Sequence, residues 1–189
     1  MNHRFSRSPV LVAALVLGIS PSIHAVEYTD VNPTASTISF TYSQMGSGMY
    51  GTFRKFAGDF DFDTTHPETA NAKLTIDLDS IDAGSEDANT ELQKPAWFDT
   101  SSYPVATFES IRIKDLGNHR YRFTGNLTLR GLTREVDVPV LLKAEGGIGI
   151  FVGELTLKRN DFKIGEGEWA DSFVSNEINI QFRMVAPQR

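Results

Sequence analysis

The fold is decided by residues 177–184, which read Glu-Ile-Asn-Ile-Gln-Phe-Arg-Met and alternate polar and apolar side chains without interruption. Successive side chains of a β-strand point to opposite faces, so this period of two is typical of a strand with one packed face and one wet face. Residues 73–79 and 108–114 repeat the alternation over most or all of their length. The sequence therefore predicts an all-β fold whose strands share an apolar interior.

Eight runs of this kind can be counted along the chain, and several of the connections between them are short and rich in glycine. Short connections favour antiparallel neighbours, because a parallel crossover needs about a dozen residues or more. Eight antiparallel strands with a regular inside and outside fit a closed up-and-down barrel, which we favour, or a two-sheet sandwich. The runs span residues 36–44, 49–63, 71–79, 105–114, 119–130, 133–144, 149–159 and 175–186.

One stretch, residues 82–103, lacks the alternation and separates the third run from the fourth. Within it, residues 85–94 predict one short helix, because Ser85 can cap the first turn, acidic residues follow, and Pro95 stops the helix. The expected architecture is thus three strands, a helical excursion and five further strands.

The first 25 residues have the layout of a secretory signal peptide. Arg4 and Arg7 form a basic region, residues 10–19 are apolar, and Ala25 is a small residue suited to cleavage. The apolar run is too short to cross a hydrocarbon core, which takes roughly 20 residues, so an uncleaved anchor is the less favoured alternative. We therefore expect a signal peptide at 1–25, a single domain at 26–189, and a periplasmic location.

The composition argues against several classes of protein. The 24 Asp and Glu exceed the 18 Lys and Arg, for a net charge of -6, so we expect no nucleic-acid partner, which would need a basic face. The absence of cysteine excludes a disulfide framework, a thiol nucleophile and thiolate metal ligands. His66 and His119 are the only histidines after residue 25, and both are expected in exposed turns. A Ser-His-Asp triad or a histidine metal site is therefore not expected.

Glu166, Glu168 and Asp171, around Trp169, form the one cluster that suggests catalysis, because paired carboxylates can cleave glycosides. We favour the alternative, a glycine-rich surface loop in which the tryptophan docks. The expectation is therefore a protein without enzymatic activity, metal or cofactor.

The apolar face is rich in aromatic residues, since the chain after residue 25 keeps all of its 13 phenylalanines except Phe5, and both tryptophans. These rings could fill the interior as an ordinary core, which the pattern alone favours, or line a space for one small ligand. Alternation shows which face is apolar and leaves both alternatives open.

Five segments of the chain form an ordered series that extends over about residues 27–186. They are FTYSQMG and GTF within residues 40–53, IDLDSID at 76–82, WFD and YPVATFES within 97–110, GNLTLRGLT at 125–133, and RNDFKIG at 159–165. In this order they resemble the YceI-like family of polyisoprenoid-binding proteins.

The resemblance implies a fold similar to that of lipocalins, an eight-stranded antiparallel β-barrel whose apolar interior holds a long isoprenoid or other lipid chain. Members of the family are typically bacterial, exported and without catalytic activity. Gln44 stands where many members have histidine, and its amide can still donate or accept a hydrogen bond there.

The resemblance also indicates which residues would bind the lipid. Gln44, Met45 and Met49 are expected near the mouth of the barrel, and Trp97 and Phe98 as a lid. Arg159 is the cation expected to bind a pyrophosphate or a quinone oxygen, and a surface pair with Asp161 or a neighbouring acidic residue is the equal alternative. The full set is Gln44, Met45, Met49, Phe53, Trp97, Phe98, Phe108, Phe123, Leu127, Arg159, Phe162 and Trp169.

These observations predict a periplasmic binding protein that stores or transports a polyisoprenoid lipid such as a quinone or a prenyl pyrophosphate. Three alternatives stay open. One is a promiscuous binder of lipids or fatty amides, and another is an accessory that delivers quinone to a membrane electron-transfer partner. The third is a periplasmic hydrolase, which the scarcity of His and Cys disfavours. The sequence also leaves open a transient contact with the membrane or with a membrane protein, and the formation of a homodimer.

Overall fold

The computed structural model describes residues 25–167 and 173–189 of the chain. This part of the chain is all-β apart from the short helix α1 (Glu86–Gln93) and 3₁₀ turns at Pro67–Thr69, Leu78–Ser80 and Arg159–Phe162. The strands are β1 (Glu27–Thr29), β2 (Thr37–Gln44), β3 (Ser47–Phe53), β4 (Phe56–Asp63), β5 (Asn71–Asp77), β6 (Ile81–Asp82), β7 (Val105–Asp115), β8 (Arg120–Leu129), β9 (Leu132–Glu145), β10 (Ile148–Lys158) and β11 (Glu177–Pro187).

The described strands form a single antiparallel sheet in the order β1-β4-β5-β7-β8-β9-β10-β11-β2-β3-β6. The sheet curls until its β1 edge reaches the end of β11. There Tyr28 forms a bridge with Gln188, and the backbone N–H of Asn32 donates to the Val185 carbonyl at 2.8 Å. The curl encloses one face of the sheet as an interior.

The number of strands differs from the predicted eight, and one reason is a corner at Arg54 and Lys55. The predicted run 49–63 divides there into β3, which pairs with β2, and β4, which pairs with β5. The remaining difference comes from β1 and β6, which have three and two residues and are too short for an alternation to be recognised. The observed sheet therefore has eleven strands.

The predicted helical excursion is confirmed. Helix α1 begins after Ser85, whose Oγ accepts a hydrogen bond from the backbone N–H of Ala88 at 3.2 Å. Glu86 and Asp87 lie in the first turn, where the positive end of the helix dipole favours acidic side chains. The helix ends at Gln93, with Lys94 as its C-cap just before Pro95, and the following residues turn back over one end of the sheet.

The predicted alternation is confirmed along β11. The even-numbered residues 178–186 line the interior, whereas Glu177, Gln181 and Arg183 are exposed on the outer face. The same alternation holds in two other strands. In β2 the even-numbered residues face inward, and in β8 the odd-numbered apolar residues do. The core of the protein therefore lies on the concave side of the curled sheet.

One end of the interior is filled by aromatic rings around Phe62, which has no exposed surface. The centroid of its ring lies 4.9 Å from that of Tyr121 and 5.3 Å from that of Phe151, both in edge-to-face geometry. Tyr28 and Phe60 each pack edge-to-face on Phe151 as well. We call these five residues the closed end, because they join β1 and β4 to the strands across the interior.

Within residues 25–167 and 173–189, no helix combines the length and the apolar character that a membrane-spanning segment needs. The expected signal peptide at 1–25 lies outside the described residues except for Ala25. Both the signal peptide and the periplasmic location stay predictions.

Candidate functional site

A cavity of about 340 Å³ lies inside the curled sheet, between the closed end and helix α1. Its wall consists almost entirely of Phe, Leu, Ile, Val and Ala side chains from strands around the sheet. Helix α1, residues 97–98 and residues 159–164 complete the wall at the end opposite the closed end. The interior is therefore not completely filled. Its aromatic residues form a core at the closed end and line the cavity elsewhere.

Three glycines on the inner face explain how a wall rich in phenylalanine leaves a space. At each glycine, a phenylalanine ring of the neighbouring strand lies within 3.0 Å of the position that a Cβ atom would occupy. The ring therefore lies flat against the backbone instead of projecting towards the centre, and all three rings line the cavity. The pairs are Phe40 on Gly51, Phe108 on Gly125 and Phe182 on Gly153.

The cavity reaches the surface at the α1 end. Near the closed end Phe151 and Ala186 line the cavity and are only 3% and 0% exposed, although the exposed Asp59 and Lys73 line it from β4 and β5. At the other end Gln44, the last residue of β2, and Glu91 of α1 both line the cavity and are exposed. We call Gln44, Glu91 and the neighbouring Trp97 the mouth.

Trp97 and Phe98 follow α1 and lie at this mouth. The indole of Trp97 packs against Gly165, whose positive φ of +69° and missing Cβ permit the close approach. The backbone N–H of Gly165 donates to the Ala96 carbonyl at 2.8 Å, which fixes the two segments together. Phe98 lies edge-on to Phe53, with 6.5 Å between the ring centroids. The two residues expected to form a lid are thus held over the cavity.

Arg159 is buried, with 4% of its surface exposed, and protein acceptors hold its guanidinium. Nη1 donates to the carbonyls of Ile164 at 2.9 Å and Gly165 at 2.8 Å, and Nη2 donates to the carbonyl of Val174 at 3.1 Å. Nε donates to the carbonyl of Ser175 at 3.2 Å. Arg159 therefore fastens the loop after its own 3₁₀ turn to the segment that precedes β11.

Of the two roles expected for Arg159, the surface pair with Asp161 is not observed. Asp161 is exposed whereas Arg159 is buried, so the two residues do not form a surface pair. Arg159 does line the cavity, and its Cζ lies 6.0 Å from the centroid of the Trp97 ring, within the range of a cation–π contact. A contact between Arg159 and a ligand oxygen stays a prediction.

Tyr42 and Gln44 offer hydrogen bonds to the cavity from the inner face of β2. Burial raises the pKa of the Tyr42 phenol above its usual value of 10.0, so the hydroxyl is protonated at neutral pH and can donate. The Gln44 amide has both a donor and an acceptor. A ligand at the mouth therefore finds neutral hydrogen-bonding groups on this strand.

Nine of the twelve residues expected to bind the lipid line the cavity, two do not, and one is not described. Met45 lies in the tight turn between β2 and β3 with a φ of 51° and is 72% exposed, because the turn directs it away from the interior. Met49 is half-buried on the inner face of β3, outside the cavity lining. Trp169 lies outside the described residues. The lining residues are Gln44, Phe53, Trp97, Phe98, Phe108, Phe123, Leu127, Arg159 and Phe162.

Several lining residues were missed although the sequence indicates them. Ile178 and Ile180 occupy inward positions of the stretch with the clearest alternation. Ala88 and Leu92 are four positions apart on α1 and therefore share the helix face that lines the cavity. Glu91 gave no such indication, because an acidic residue on a short helix is usually on the solvent side.

The residues considered for catalysis do not form a site in the described part of the chain. His66 and His119 are exposed in separate turns, and Glu166 is exposed and does not line the cavity. Groups of three or more His, Cys, Asp or Glu that could hold a metal ion are absent from residues 25–167 and 173–189. Glu168 and Asp171, the partners considered for Glu166, lie outside those residues.

Comparison with known proteins finds relatives over most of the chain. The family model of the YceI-like domain matches residues 30–186. A UPF0312 protein of Ectopseudomonas mendocina is 34% identical over 164 residues, which cover 81% of this chain and 86% of the relative. A UPF0312 protein of Pectobacterium atrosepticum is 33% identical over 162 residues, which cover 82% and 84%.

Solved structures share the fold. The crystal structure of Burkholderia cenocepacia BcnA matches with a TM-score of 0.80 and 38% identity, over 83% of this chain and 99% of that chain. A polyisoprenoid binding domain from Saccharophagus degradans, implicated in plant cell wall breakdown, matches with a TM-score of 0.67 over 88% of this chain and 100% of that chain. Its identity to this chain is 19%, so the second likeness concerns the fold alone.

Replacing Gly153 by alanine should make the cavity smaller and the protein less stable. The new methyl group would lie where the Phe182 ring now packs and 2.7 Å from the Pro139 carbonyl, so the ring must move towards the centre. We expect the free energy of unfolding to fall by about 1–3 kcal/mol, the usual cost of overpacking, in urea titrations followed by tryptophan fluorescence.

Gly48→Ala is the matched control, because a Cβ at Gly48 meets nothing within 4 Å and its φ is not positive. We expect that substitution to change the free energy of unfolding by less than about 0.5 kcal/mol. If Gly153→Ala were as stable as Gly48→Ala, the flat packing of Phe182 on Gly153 would not be a constraint on the interior.

Replacing Arg159 by methionine should destabilise the mouth, because the carbonyls that accept its hydrogen bonds lose their donors. We expect the free energy of unfolding to fall by about 3 kcal/mol or more, since each unsatisfied buried acceptor costs roughly 1–3 kcal/mol. Lys158→Met, at the exposed neighbouring position, is the control and should change little. Equal stability of the two variants in the same urea titration would contradict a structural role for the guanidinium.

Proposed function

The chain belongs to the YceI-like domain family, and we propose that it is a non-catalytic protein that holds a long-chain lipid of the polyisoprenoid type inside its curled sheet. The observation that supports this most strongly is the cavity of about 340 Å³, most of whose wall is apolar. Sites for small molecules usually measure roughly 300–1,000 Å³, so the space suits one ligand.

An apolar tail is the occupant that such a wall favours. Removing hydrocarbon from water contributes roughly 25 cal/mol per Å² and needs no directed polar contact. Methyl groups of Leu, Ile and Val between flat phenylalanine rings give the wall an uneven surface, against which a methyl-branched chain can pack. A charged or strongly polar occupant would lose its hydration along the same wall without replacement.

The comparisons support the same class of ligand. The domain from Saccharophagus degradans that shares this fold is a polyisoprenoid binding domain, and its likeness extends over 88% of this chain. The fold likeness by itself leaves the ligand of this chain undetermined. We combine it with the apolar cavity to propose a polyisoprenoid tail, such as that of a quinone or a prenyl lipid.

In this proposal the curled sheet acts like the barrel of a lipocalin, and the segment after α1, with Trp97 and Phe98, acts as its lid. Residues 1–25 would direct export of the protein to the periplasm and then be removed. There it would store or transport the lipid and meet the membrane or a membrane protein only transiently.

A second candidate is a broader binder of long-chain lipids or fatty amides. The mostly aliphatic and aromatic wall of the cavity is the observation that favours it. Aliphatic and aromatic surfaces attract any apolar chain, and the neutral hydrogen-bonding groups Tyr42 and Gln44 lie towards the mouth. Such a wall selects a ligand by width and length rather than by directed contacts. A straight chain could therefore compete with a branched one.

Leu127→Trp should block the cavity. Leu127 lines the cavity from the inner face of β8, so an indole at this position would occupy the space of the ligand. Asn126→Trp adds the same side chain at the adjacent exposed position and is the matched control. We expect native mass spectrometry of residues 26–189 mixed with a polyprenol to show a single-lipid adduct for the wild type and Asn126→Trp, and none for Leu127→Trp.

Circular dichroism of both variants separates blocking from misfolding. A folded wild type that forms no adduct with polyprenols would contradict the proposed function. An adduct that survives in folded Leu127→Trp would place the lipid outside the cavity. Equal binding of a fatty amide and a polyprenol would favour the broader binder.

A further inference from the structure

We propose that the hairpin formed by the end of β7 and the start of β8 docks with its outer face on an anionic lipid bilayer. We call residues 111–122 the docking hairpin. Three of its features support the assignment: cations without acidic partners, apolar side chains exposed among them, and an ordered turn. The docking surface lies outside the cavity, so it does not depend on what the cavity holds.

The docking hairpin is basic in an acidic protein. Its residues include four Lys and Arg and one acidic residue, whereas the whole chain has 18 Lys and Arg against 24 Asp and Glu. All four basic side chains are exposed, and they project from the outer face because Ile113 and Tyr121, which alternate with them, are buried. The four are Arg112, Lys114, Arg120 and Arg122.

Two of these cations stand directly opposite each other. Lys114 pairs in register with Arg122, an arrangement in which like charges destabilise a sheet. None of the four basic residues forms an ion pair with any residue of 25–167 or 173–189. Asp115, the acidic residue of the hairpin, accepts a hydrogen bond from the backbone N–H of Gly117 at 2.7 Å. The positive charge of this face is therefore available to an external anion.

The adjoining strand β9 leaves this charge largely uncompensated. Arg120 and Arg122 stand in register with Leu141 and Pro139, so no acidic residue lies directly opposite either of them on β9. Asp137 is one step further along the same face, and its Oδ1 accepts a hydrogen bond from the Thr124 hydroxyl. The face next to the four cations is therefore apolar before it becomes acidic.

Apolar side chains are exposed among the cations of the hairpin. Ile111 is 55% and Leu116 is 45% exposed. Ile111 lies where the register between β7 and β8 shifts, so it is the extra residue of a β-bulge. Leu116 begins the turn between the two strands. Apolar side chains in such a position enter the boundary between headgroups and acyl chains, while neighbouring cations attract the anionic lipids.

The turn is held in one conformation by its own hydrogen bonds. The backbone N–H of Leu116 donates to the Arg120 carbonyl at 2.8 Å, and that of Arg120 donates to the Gly117 carbonyl at 3.0 Å. Because the turn is already ordered, docking requires little further loss of conformational freedom.

An anionic bilayer suits this surface, because its phosphates can meet all four cations while its acyl chains receive Leu116. The net charge of -6 would repel such a bilayer. At about 0.15 M ionic strength, however, charges more than roughly 8 Å away are screened, so the charges nearest the lipid decide. Tyr121 of the hairpin packs on Phe62 in the closed end, so a docked protein would hold its mouth away from the bilayer.

Co-sedimentation of the purified protein with vesicles tests the role of the cations. Vesicles of phosphatidylcholine and phosphatidylglycerol in equal parts would be compared with vesicles of phosphatidylcholine alone. The proteins are the wild type, Lys114→Glu/Arg122→Glu and Lys55→Glu/Lys158→Glu. Both double substitutions change the net charge equally, but Lys55 and Lys158 are exposed towards the α1 end of the sheet.

We expect the wild type to bind the mixed vesicles about tenfold more tightly than the neutral ones at an ionic strength of about 0.01 M, with a smaller difference at about 0.15 M. Lys114→Glu/Arg122→Glu should lower the affinity for the mixed vesicles about tenfold or more, because both cations face the lipid. Lys55→Glu/Lys158→Glu should lower it less than about threefold, because its charges are distant and screened.

A fluorescent label tests the orientation. The chain has no cysteine, so an environment-sensitive dye can be attached at Leu116→Cys alone, or at Met45→Cys as the control. Met45 is 72% exposed in the turn beside the mouth. We expect the emission of the dye to shift to shorter wavelength on mixed vesicles at Leu116→Cys and to stay unchanged at Met45→Cys.

Equal loss of vesicle binding in the two double variants would overturn the inference, and so would a shift of the dye at Met45→Cys without one at Leu116→Cys. A folded wild type that binds neither kind of vesicle would also overturn it and would leave an acidic protein as the partner that the hairpin fits. Leu127→Trp should bind the mixed vesicles like the wild type, because the cavity takes no part in docking. Loss of vesicle binding in folded Leu127→Trp would contradict the hairpin as the docking surface.

Discussion

The open interior depends on the contact between phenylalanine rings and glycine backbone across neighbouring strands. A phenylalanine with a side chain beneath its ring would stand away from the sheet and meet the rings of other strands, so the interior would fill. At Gly51, Gly125 and Gly153 the ring lies on the backbone instead. These glycines belong to three different strand pairs around the sheet. Each lets one phenylalanine ring stay close to the wall, so together they determine how wide the cavity is.

The closed end of the interior contributes packing that stabilises the fold, whereas the cavity beyond it is the space proposed for the ligand. An apolar cavity lowers stability, because the side chains around it lose dispersion contacts that a filled core would have. The closed end offsets this with edge-to-face packing of Phe62 on Tyr121 and Phe151, and the hydrogen bonds of Arg159 hold the segments at the other end. A lipid that binds only the folded state would add stability by mass action.

The sequence predicts the strands, their alternation and the helix, because these are local patterns. It does not predict the corner within residues 49–63, because the change of pairing partner there depends on distant strands. In the structure Phe53 and Phe56 both pack inward although they are three positions apart. A phenylalanine on the inner face has the same pattern whether it fills or lines the interior. The difference is the glycine that it meets across the strand pair, and that requires the register of the sheet. The acceptors of Arg159 are likewise hidden from the sequence, because they are backbone carbonyls as far as 16 positions away.

The most direct measurement is a crystal structure of the protein purified from the cells that produce it, without removal of lipid. We predict continuous, elongated electron density along the cavity from the region of Trp97 towards Phe151, with Phe40, Phe108 and Phe182 flat against their glycines. An interior in which these rings meet at the centre and leave no room for a ligand would contradict the hollow sheet and, with it, the proposed binding of a lipid tail.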